Sequence, residues 1–382
     1  MKLRTHRAPE FVLGSGAINE LGRQVIQHKA NRVLVVTDPG VTEAGWLAPV
    51  LAELERAKVG VELFAEVTPN PKDLEVMAGA EHYRRSQCDL VVAVGGGSPM
   101  DCGKAIAAVV ANDRDVRCFA GVDQVPLAPP PLICIPTTAG TAAEISRFAI
   151  ITDTSNNIKF AIISNTMIPT LALIDPETTT TMSSELTATT GIDALVHAIE
   201  AYVSTQNSTV TDLYALEAIR LISGNLRQAL AHPHNPIHRE AMMLGSLLAG
   251  LAFSNASLGL VHAMAHSLGG LLDLAHGECN ALLLEHVVNY NFDSARERYA
   301  QIGLTMGLPM KGLNAVEQKI RLIAALAALR RDVNLAHPLR DLGVASEDIP
   351  VLAQNALLDP CIATNPCTPT REDIAQIYES AL

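Results

Sequence analysis

Residues 89–111 read DLVVAVGGGSPMDCGKAIAAVVA, and this stretch decides the fold class of the first half of the chain. The run LVVAV shows no polar alternation, which is typical of a strand buried on both faces of a parallel sheet. It leads directly into Gly95-Gly96-Gly97-Ser98, and residues 100–111 then follow a helical pattern. Glycines between a strand end and a helix start let backbone N–H groups approach a phosphate closely. The alternative is an ordinary glycine turn, because the run matches neither GxGxxG nor the P-loop pattern.

The same order of strand and helix repeats on both sides of this stretch. Strand patterns cover residues 32–37, 61–64 and 132–135, and helical patterns cover residues 44–58 and 75–85. The repetition predicts a doubly wound dinucleotide-binding domain, with a parallel sheet and helices on both faces, over residues 1–180.

The pattern of apolar residues changes near residue 180. Apolar residues then recur at helical spacing, as in residues 213–226, 239–253 and 318–329, and strand patterns nearly vanish. We therefore expect a second, all-helical domain over residues 181–382. Two domains agree with a length of 382 residues, and 48% apolar residues supply enough material for their cores.

Charge and cysteine content exclude several classes of protein. The net charge of −12 argues against binding to nucleic acid or to an anionic membrane, since both need clustered Lys and Arg. The sequence shows neither a signal-peptide pattern nor an apolar run long enough to span a membrane. Seven cysteines without a CxxC pair indicate a reduced, cytoplasmic chain and not a disulfide framework or a thiolate zinc site.

Polar residues follow two of the predicted strands. PTTAGT, residues 136–141, directly follows the strand LICI and could hydrogen-bond a polar ligand at the carboxyl edge of the sheet. Asp38 ends the strand at residues 32–37 and could accept hydrogen bonds from ribose hydroxyls. A Thr-rich turn that caps a helix, and an ordinary strand-end aspartate, are the alternatives.

The helical half contains a candidate metal site. Asp193 and His197 are spaced i,i+4, His262 and His266 are spaced i,i+4, and His276 follows shortly after. Residues at this spacing share a helix face, and an Asp/His set without cysteine suits Fe²⁺, Zn²⁺, Mn²⁺, Co²⁺ or Ni²⁺. The alternative is a group of hydrogen-bonded core histidines. Spacing alone leaves open which of His262 and His266 is a ligand and which serves the substrate or a proton relay.

Two further groups of residues are weaker candidates. Glu200 continues the face of Asp193, but it could equally be a surface or subunit-contact residue. His232, His234 and His238 lie in a segment rich in Pro and Asn, and we expect them in a solvated loop between helices.

The ordered motifs identify a resemblance over essentially the whole chain. It resembles the iron-containing (type III) alcohol dehydrogenases, whose wider superfamily includes glycerol dehydrogenase and 3-dehydroquinate synthase. The motifs that carry the resemblance are GGGSPMDCGKAIA (95–107), PTTAGT (136–141), GIDALVHAIEAYVS (191–204), GLVHAMAHSLGG (259–270) and AHGECNALLL (275–284). The resemblance implies a dehydroquinate synthase-like fold.

The resemblance also implies roles for individual residues. The metal ligands would be Asp193, His197, His262 and His276. His266 would lie beside the nicotinamide and substrate without binding metal. Residues that would line the cofactor site are Asp38, Asn70, Gly96, Gly97, Ser98, Asp101, Thr137, Thr138, Thr141 and Lys159. An aspartate at position 38 implies a preference for NAD over NADP. Departures from the family pattern at Ala143, Glu285 and Cys367 concern substrate choice and fine cofactor contacts.

The implied function is reversible hydride transfer between a small primary alcohol or diol and NAD, with Fe²⁺ as the expected metal and Zn²⁺ as a second option. A lyase similar to 3-dehydroquinate synthase is one alternative, although residues 259–274 contain no Lys or Arg to hold an anionic substrate. A non-catalytic NAD-binding assembly protein is the other. The resemblance further implies a homo-oligomer, a dimer or larger.

Overall fold

The computed structural model describes residues 5–156 and 158–382, which form two compact units, residues 5–182 and 183–382. The strands of the first unit are β1 (Glu10–Leu13), β2 (Arg32–Val36), β3 (Gly60–Phe64), β4 (Leu90–Gly95), β5 (Gly121–Val122), β6 (Leu132–Pro136), β7 (Phe148–Asp153), β8 (Ile158–Ile163) and β9 (Leu171–Ile174). Its helices are α1 (Leu21–Gln27), α2 (Pro39–Glu43), α3 (Leu47–Arg56), α4 (Asp73–Arg85) and α5 (Gly97–Asn112).

Six of these strands form one parallel sheet in the order β1-β9-β6-β4-β2-β3. Alternate residues of β4 enter different cores: Val91 and Ala93 pack with α4 and α5, whereas Leu90 and Val92 pack with α1 and α3. Both faces are thus covered, which explains the unbroken apolar runs. The predicted parallel sheet with helices on both faces is confirmed.

A second sheet, which the sequence analysis did not predict, has three strands in the order β5-β8-β7. Two side chains of α5, one helical turn apart, fix the approach to β7. The buried ammonium of Lys104 donates to the carbonyl oxygens of Ser146 and Phe148 at 2.9 and 2.8 Å. The carboxylate of Asp101 accepts the backbone N–H of Ile150 at 3.1 Å. The helix that follows the glycine run therefore also holds the smaller sheet.

The second unit is helical, and no strand lies within residues 183–382. Its helices are α6 (Ser184–Val203), α7 (Thr209–Ala231), α8 (Pro236–Ala256), α9 (Leu260–Leu272), α10 (His276–Asn291), α11 (Arg296–Thr305), α12 (Ala315–Asp332), α13 (Ile349–Leu357) and α14 (Arg371–Ala381). Every residue of α6 from Gly191 onward is buried, so α6 is the central helix of this unit.

One detail of the predicted loop at residues 231–238 is wrong. Pro236 occupies the first position of α8, where its missing N–H costs nothing, so the helix starts before His238. The ring of His238 contacts the side-chain oxygen of Asn225 at 3.0 Å and is partly buried, whereas His232 and His234 are exposed. The loop itself covers only residues 232–235.

Two findings bear on the excluded classes. All seven cysteines are free thiols. Among the described residues no single helix has the length and apolar composition to cross a membrane, and one pair of helices, bent by 99°, meets those two criteria together.

Glu144 provides a test of the packing around Lys104. Burial raises the pKa of Glu144 to about 7, so the folded chain keeps this proton at pH values where the unfolded chain has lost it. Stability therefore falls as the pH rises from about 4.5 through 7. Glu144→Gln removes the ionisation, and we expect it to unfold like the parent at pH 4 but to be more stable by about 3 kcal/mol at pH 8. Thermal unfolding at both pH values measures this; an equal shift at both would contradict it.

Candidate active site

The carboxyl ends of three neighbouring strands bring together residues from three separate motifs. Asp38 follows β2, Gly96 follows β4, and Thr137 follows β6, and these strands are adjacent in the sheet. The strand order reverses here, because β3 lies on one side of β2 and β4 on the other. Ligands of open α/β sheets bind at such switch points.

The glycine run and PTTAGT are in direct contact. A Cβ placed on Gly96 would lie 3.3 Å from the side chain of Thr138, and one placed on Gly97 would lie 3.0 Å from that of Thr141. Glycine suits both positions, because a larger residue would press against these threonine side chains. Ser98 follows in the first turn of α5, a 16-residue helix whose N-terminal N–H groups can receive a phosphate.

The other predicted cofactor residues also have structural contacts. The Asp38 carboxylate accepts the Val41 N–H at 2.8 Å and so caps α2, and burial raises the pKa of Asp38 despite this bond. Lys159 donates to the side-chain oxygen of Asn70 at 2.7 Å, so these two residues lie together. The sequence analysis did not find the contact of Asp101 with Ile150. Cofactor contacts of all these residues remain predictions.

Four predicted metal ligands converge in the second unit. Asp193 and His197 lie on α6, His262 lies on α9, and His276 is the first residue of α10. One donor atom from each lies within 4.8 Å of the others. Asp193 Oδ1 is 3.8 Å from Nε2 of His262 and 3.7 Å from Nε2 of His276, and Asp193 Oδ2 is 3.9 Å from Nδ1 of His197.

This donor set fits a divalent transition metal. Two ligands that are each about 2.1 Å from one ion lie at most about 4.2 Å apart, so the three separations above can share an ion. Burial and the neighbouring histidines keep the pKa of His262 well below its usual value, and the neutral imidazole is the form that binds metal.

Gly277 allows α10 to start at this point. Its backbone is helical, and a Cβ there would lie 2.6 Å from the carbonyl oxygen of Thr189. The glycine therefore allows α10 to approach the backbone of α6. Three residues after Gly277, the amide nitrogen of Asn280 donates to Asp193 Oδ1 at 2.6 Å. This contact was not predicted.

Glu200 is the most important residue whose role the sequence analysis left undecided. It is buried, and its carboxylate meets His262 Nδ1 at 2.6 Å and accepts the N–H groups of Gly259 at 2.9 Å and Val261 at 2.7 Å. Burial raises the pKa of Glu200 to about 8 in spite of the three donors. A carboxylate on the far nitrogen of a ligand histidine fixes its tautomer and ring orientation. The interpretation of Glu200 as a surface residue is thus wrong.

His266 lies beside the four ligands but outside their set. Its ring stacks on that of His276 with centroids 5.2 Å apart. Its Nδ1 is 2.8 Å from Oδ2 of Asp359, a partly buried residue that no sequence pattern indicated. Burial alone would raise the pKa of Asp359, but the contact with His266 holds it below its usual value. The two histidines of α9 therefore have different partners.

Comparison with known proteins identifies the family of the chain. The family model for iron-containing alcohol dehydrogenases matches residues 8–176, and that for the C-terminal part of the Fe-containing alcohol dehydrogenase family matches residues 187–382. The chain is 42% identical to 1,3-propanediol dehydrogenase of Klebsiella pneumoniae over 96% of both chains. It is 38% identical to NAD-dependent methanol dehydrogenase of Bacillus methanolicus over 98% of both. A solved 1,3-propanediol oxidoreductase superimposes with a TM-score of 0.97 at 41% identity over the full length of both.

The contact of Glu200 with His262 gives a test of the metal site. Glu200→Gln keeps the size of the side chain but replaces one of the oxygens that meet Gly259, Val261 and His262 with an NH₂ donor, and we expect metal affinity to fall about 10- to 100-fold. Competition with a chelator, read by metal analysis of the desalted protein, measures the affinity. Glu53→Gln, at a buried glutamate of the first unit, is the control and should leave it unchanged. Equal affinities of parent and Glu200→Gln would contradict the assigned role.

Proposed function

Because the chain belongs to the iron-containing alcohol dehydrogenase family, we propose that it interconverts a small primary alcohol or diol and the corresponding aldehyde. The matches to the family models confirm the predicted family, and the solved structure confirms the dehydroquinate synthase-like fold. It also makes the protein an NAD-dependent oxidoreductase of alcohols and aldehydes, with iron as its metal. The size and type of the alcohol are the proposal, and the names of two relatives, for methanol and 1,3-propanediol, support it.

The convergence of Asp193, His197, His262 and His276 is the observation that carries the proposal. These four side chains would hold the divalent ion, which when bound supplies Lewis-acid polarisation of the substrate oxygen. Glu200 and Asn280 hold two of the four in place. Because three of the four ligands are buried, the site excludes much of the water that would weaken its electrostatics.

The first unit would bind the dinucleotide. The backbone of Gly96, Gly97 and Ser98 at the start of α5 would receive the pyrophosphate, and Asp38 would accept the ribose hydroxyls. Residues that would line the rest of the cofactor site are Asn70, Asp101, Thr137, Thr138, Thr141 and Lys159. NAD supplies the hydride acceptor for oxidation and, as NADH, the donor for reduction.

His266 would position the substrate. The overall reaction converts alcohol and NAD⁺ into aldehyde, NADH and one proton, so a group near the substrate must handle that proton. His266 lies one helical turn from His262 and stacks on His276, which places its ring next to the ligand set. Its imidazole could orient the hydroxyl and pass on the proton.

The alternatives have less support. The two relatives compared above are both named as dehydrogenases, which favours oxidation and reduction over lyase chemistry. Residues 259–274 provide no cation for a phosphate-bearing substrate. Assembly as a homodimer or larger homo-oligomer remains a prediction from the resemblance.

Metal replacement tests the proposal. Protein stripped of metal and reloaded separately with Fe²⁺, Zn²⁺ or Mn²⁺ is assayed by NADH absorbance with methanol, ethanol, propanediols and their aldehydes. We expect turnover to require a metal, because the substrate oxygen needs polarisation, and to favour short alcohols or diols. Activity restricted to long or secondary alcohols would contradict the proposed substrate class. Silence with every metal, despite NADH binding, would favour the lyase or non-catalytic alternative.

Asp38 tests the cofactor preference. Asp38→Asn keeps a side-chain oxygen to cap Val41 but removes the charge that would repel a 2′-phosphate. We expect the ratio of kcat/KM for NADH over NADPH to fall about tenfold, equivalent to about 1.4 kcal/mol. Steady-state kinetics with both cofactors measures the ratio. An unchanged ratio would show that Asp38 acts only as a helix cap.

A further inference from the structure

His266 and Asp359 form a pair that is largely shielded from water. Their side chains are 12% and 14% exposed, and Nδ1 of His266 lies 2.8 Å from Oδ2 of Asp359. The imidazole ring stacks on that of His276. Asp359 therefore orients the ring of His266, which contacts the proposed ligand set but is not part of it.

The two carboxylate oxygens of Asp359 have different hydrogen-bond partners. Oδ1 accepts the N–H of Cys361 at 2.8 Å and so caps the short 3₁₀ helix Pro360–Thr364. Oδ2 meets His266. A substitution that changes only the second oxygen can thus separate the effect on His266 from the effect on the helix.

We propose that Asp359 is a positioning residue that holds His266 in the tautomer with its proton on Nδ1. An ionised carboxylate only accepts hydrogen bonds, so Nδ1 must donate to it. In the neutral ring Nε2 then carries the lone pair and can accept a hydrogen bond from an alcohol hydroxyl. This inference rests on the proposed function, because an alcohol is the donor that Nε2 would meet.

Asp359→Asn inverts the tautomer in this scheme. Its carbonyl oxygen can still cap Cys361, but its NH₂ group faces Nδ1, which must then accept, so the proton moves to Nε2. Long-range ¹H–¹⁵N correlation spectra of zinc-loaded, histidine-labelled protein at pH 8.5 report the tautomer directly. His266→Phe identifies the signals by their loss. We expect protonated Nδ1 in the parent and protonated Nε2 in Asp359→Asn. Protonated Nε2 in the parent would overturn the proposal.

Steady-state kinetics then test whether Asp359 acts through His266. We expect Asp359→Asn to lower kcat at least about tenfold with KM changed less than about threefold, since orientation matters most in the transition state. The double variant Asp359→Asn/His266→Phe should be no slower than His266→Phe alone. Losses that multiply in the double variant would show that Asp359 acts through the helix at Pro360–Thr364 instead.

Asp175→Asn is the matched control. Asp175 also precedes a proline, caps a 3₁₀ helix (Pro176–Thr179) through Glu177 N–H at 3.1 Å, and contacts no histidine ring through its second oxygen, which accepts the Ile18 N–H. We expect this variant to lose thermal stability but to keep kcat. An equal loss of kcat in both variants would point to a general structural effect.

A failure of the proposal for Asp359 can be distinguished from a failure of the proposed function. If Asp359→Asn does not fold, the spectrum of the parent still decides the tautomer. If the parent oxidises no small alcohol, the proposed function fails, whereas the spectrum reports on the pair without any turnover.

Discussion

Two carboxylates and one imidazole on the buried part of the central helix α6 are the constraint on which the second unit depends. Asp193, His197 and Glu200 lie on one stripe of this helix, whose other residues from Gly191 onward are apolar or aromatic and all buried. Burying such groups without partners costs several kcal/mol each, so the neighbouring helices must bring polar atoms to this stripe. α9 brings His262 and its first backbone N–H groups, and α10 brings His276 and Asn280. The packing of three helices thus follows from three side chains.

In the first unit, the packing around α5 is constrained in a comparable way. The glycine run brings backbone close to PTTAGT, and the same helix must then hold the segment that leads into β7. Lys104 does this from inside the core, where burial lowers its pKa, by donating to the carbonyl oxygens of Ser146 and Phe148. The contact of Asp101 with Ile150 completes the attachment. One helix therefore links the candidate phosphate site to the smaller sheet.

Periodicity was enough to predict the elements that have only one kind of environment. The central strands β2, β4 and β6 are buried on both faces, and the long helices have clear apolar stripes. β7 and β8 were missed because both are short and their buried and partly buried residues do not alternate regularly, so their apolar residues follow no simple pattern. Glu200 could have been found, since it continues the stripe of Asp193 seven residues on. Asp359 could not, because its partner lies 93 residues away in the chain and no local pattern marks the contact.

Spacing alone left the roles of His262 and His266 open, and the structure shows why. Both are on the same face of α9, and both meet a carboxylate through Nδ1: Glu200 for His262 and Asp359 for His266. In each case the carboxylate favours a proton on Nδ1 and leaves Nε2 available. The Nε2 of His262 faces Asp193, whereas His266 lies against the edge of the ligand set. A carboxylate on Nδ1 therefore orients both rings, but the two rings face different surroundings. His262 would then be a metal ligand, whereas the Nε2 of His266 would remain available to the substrate.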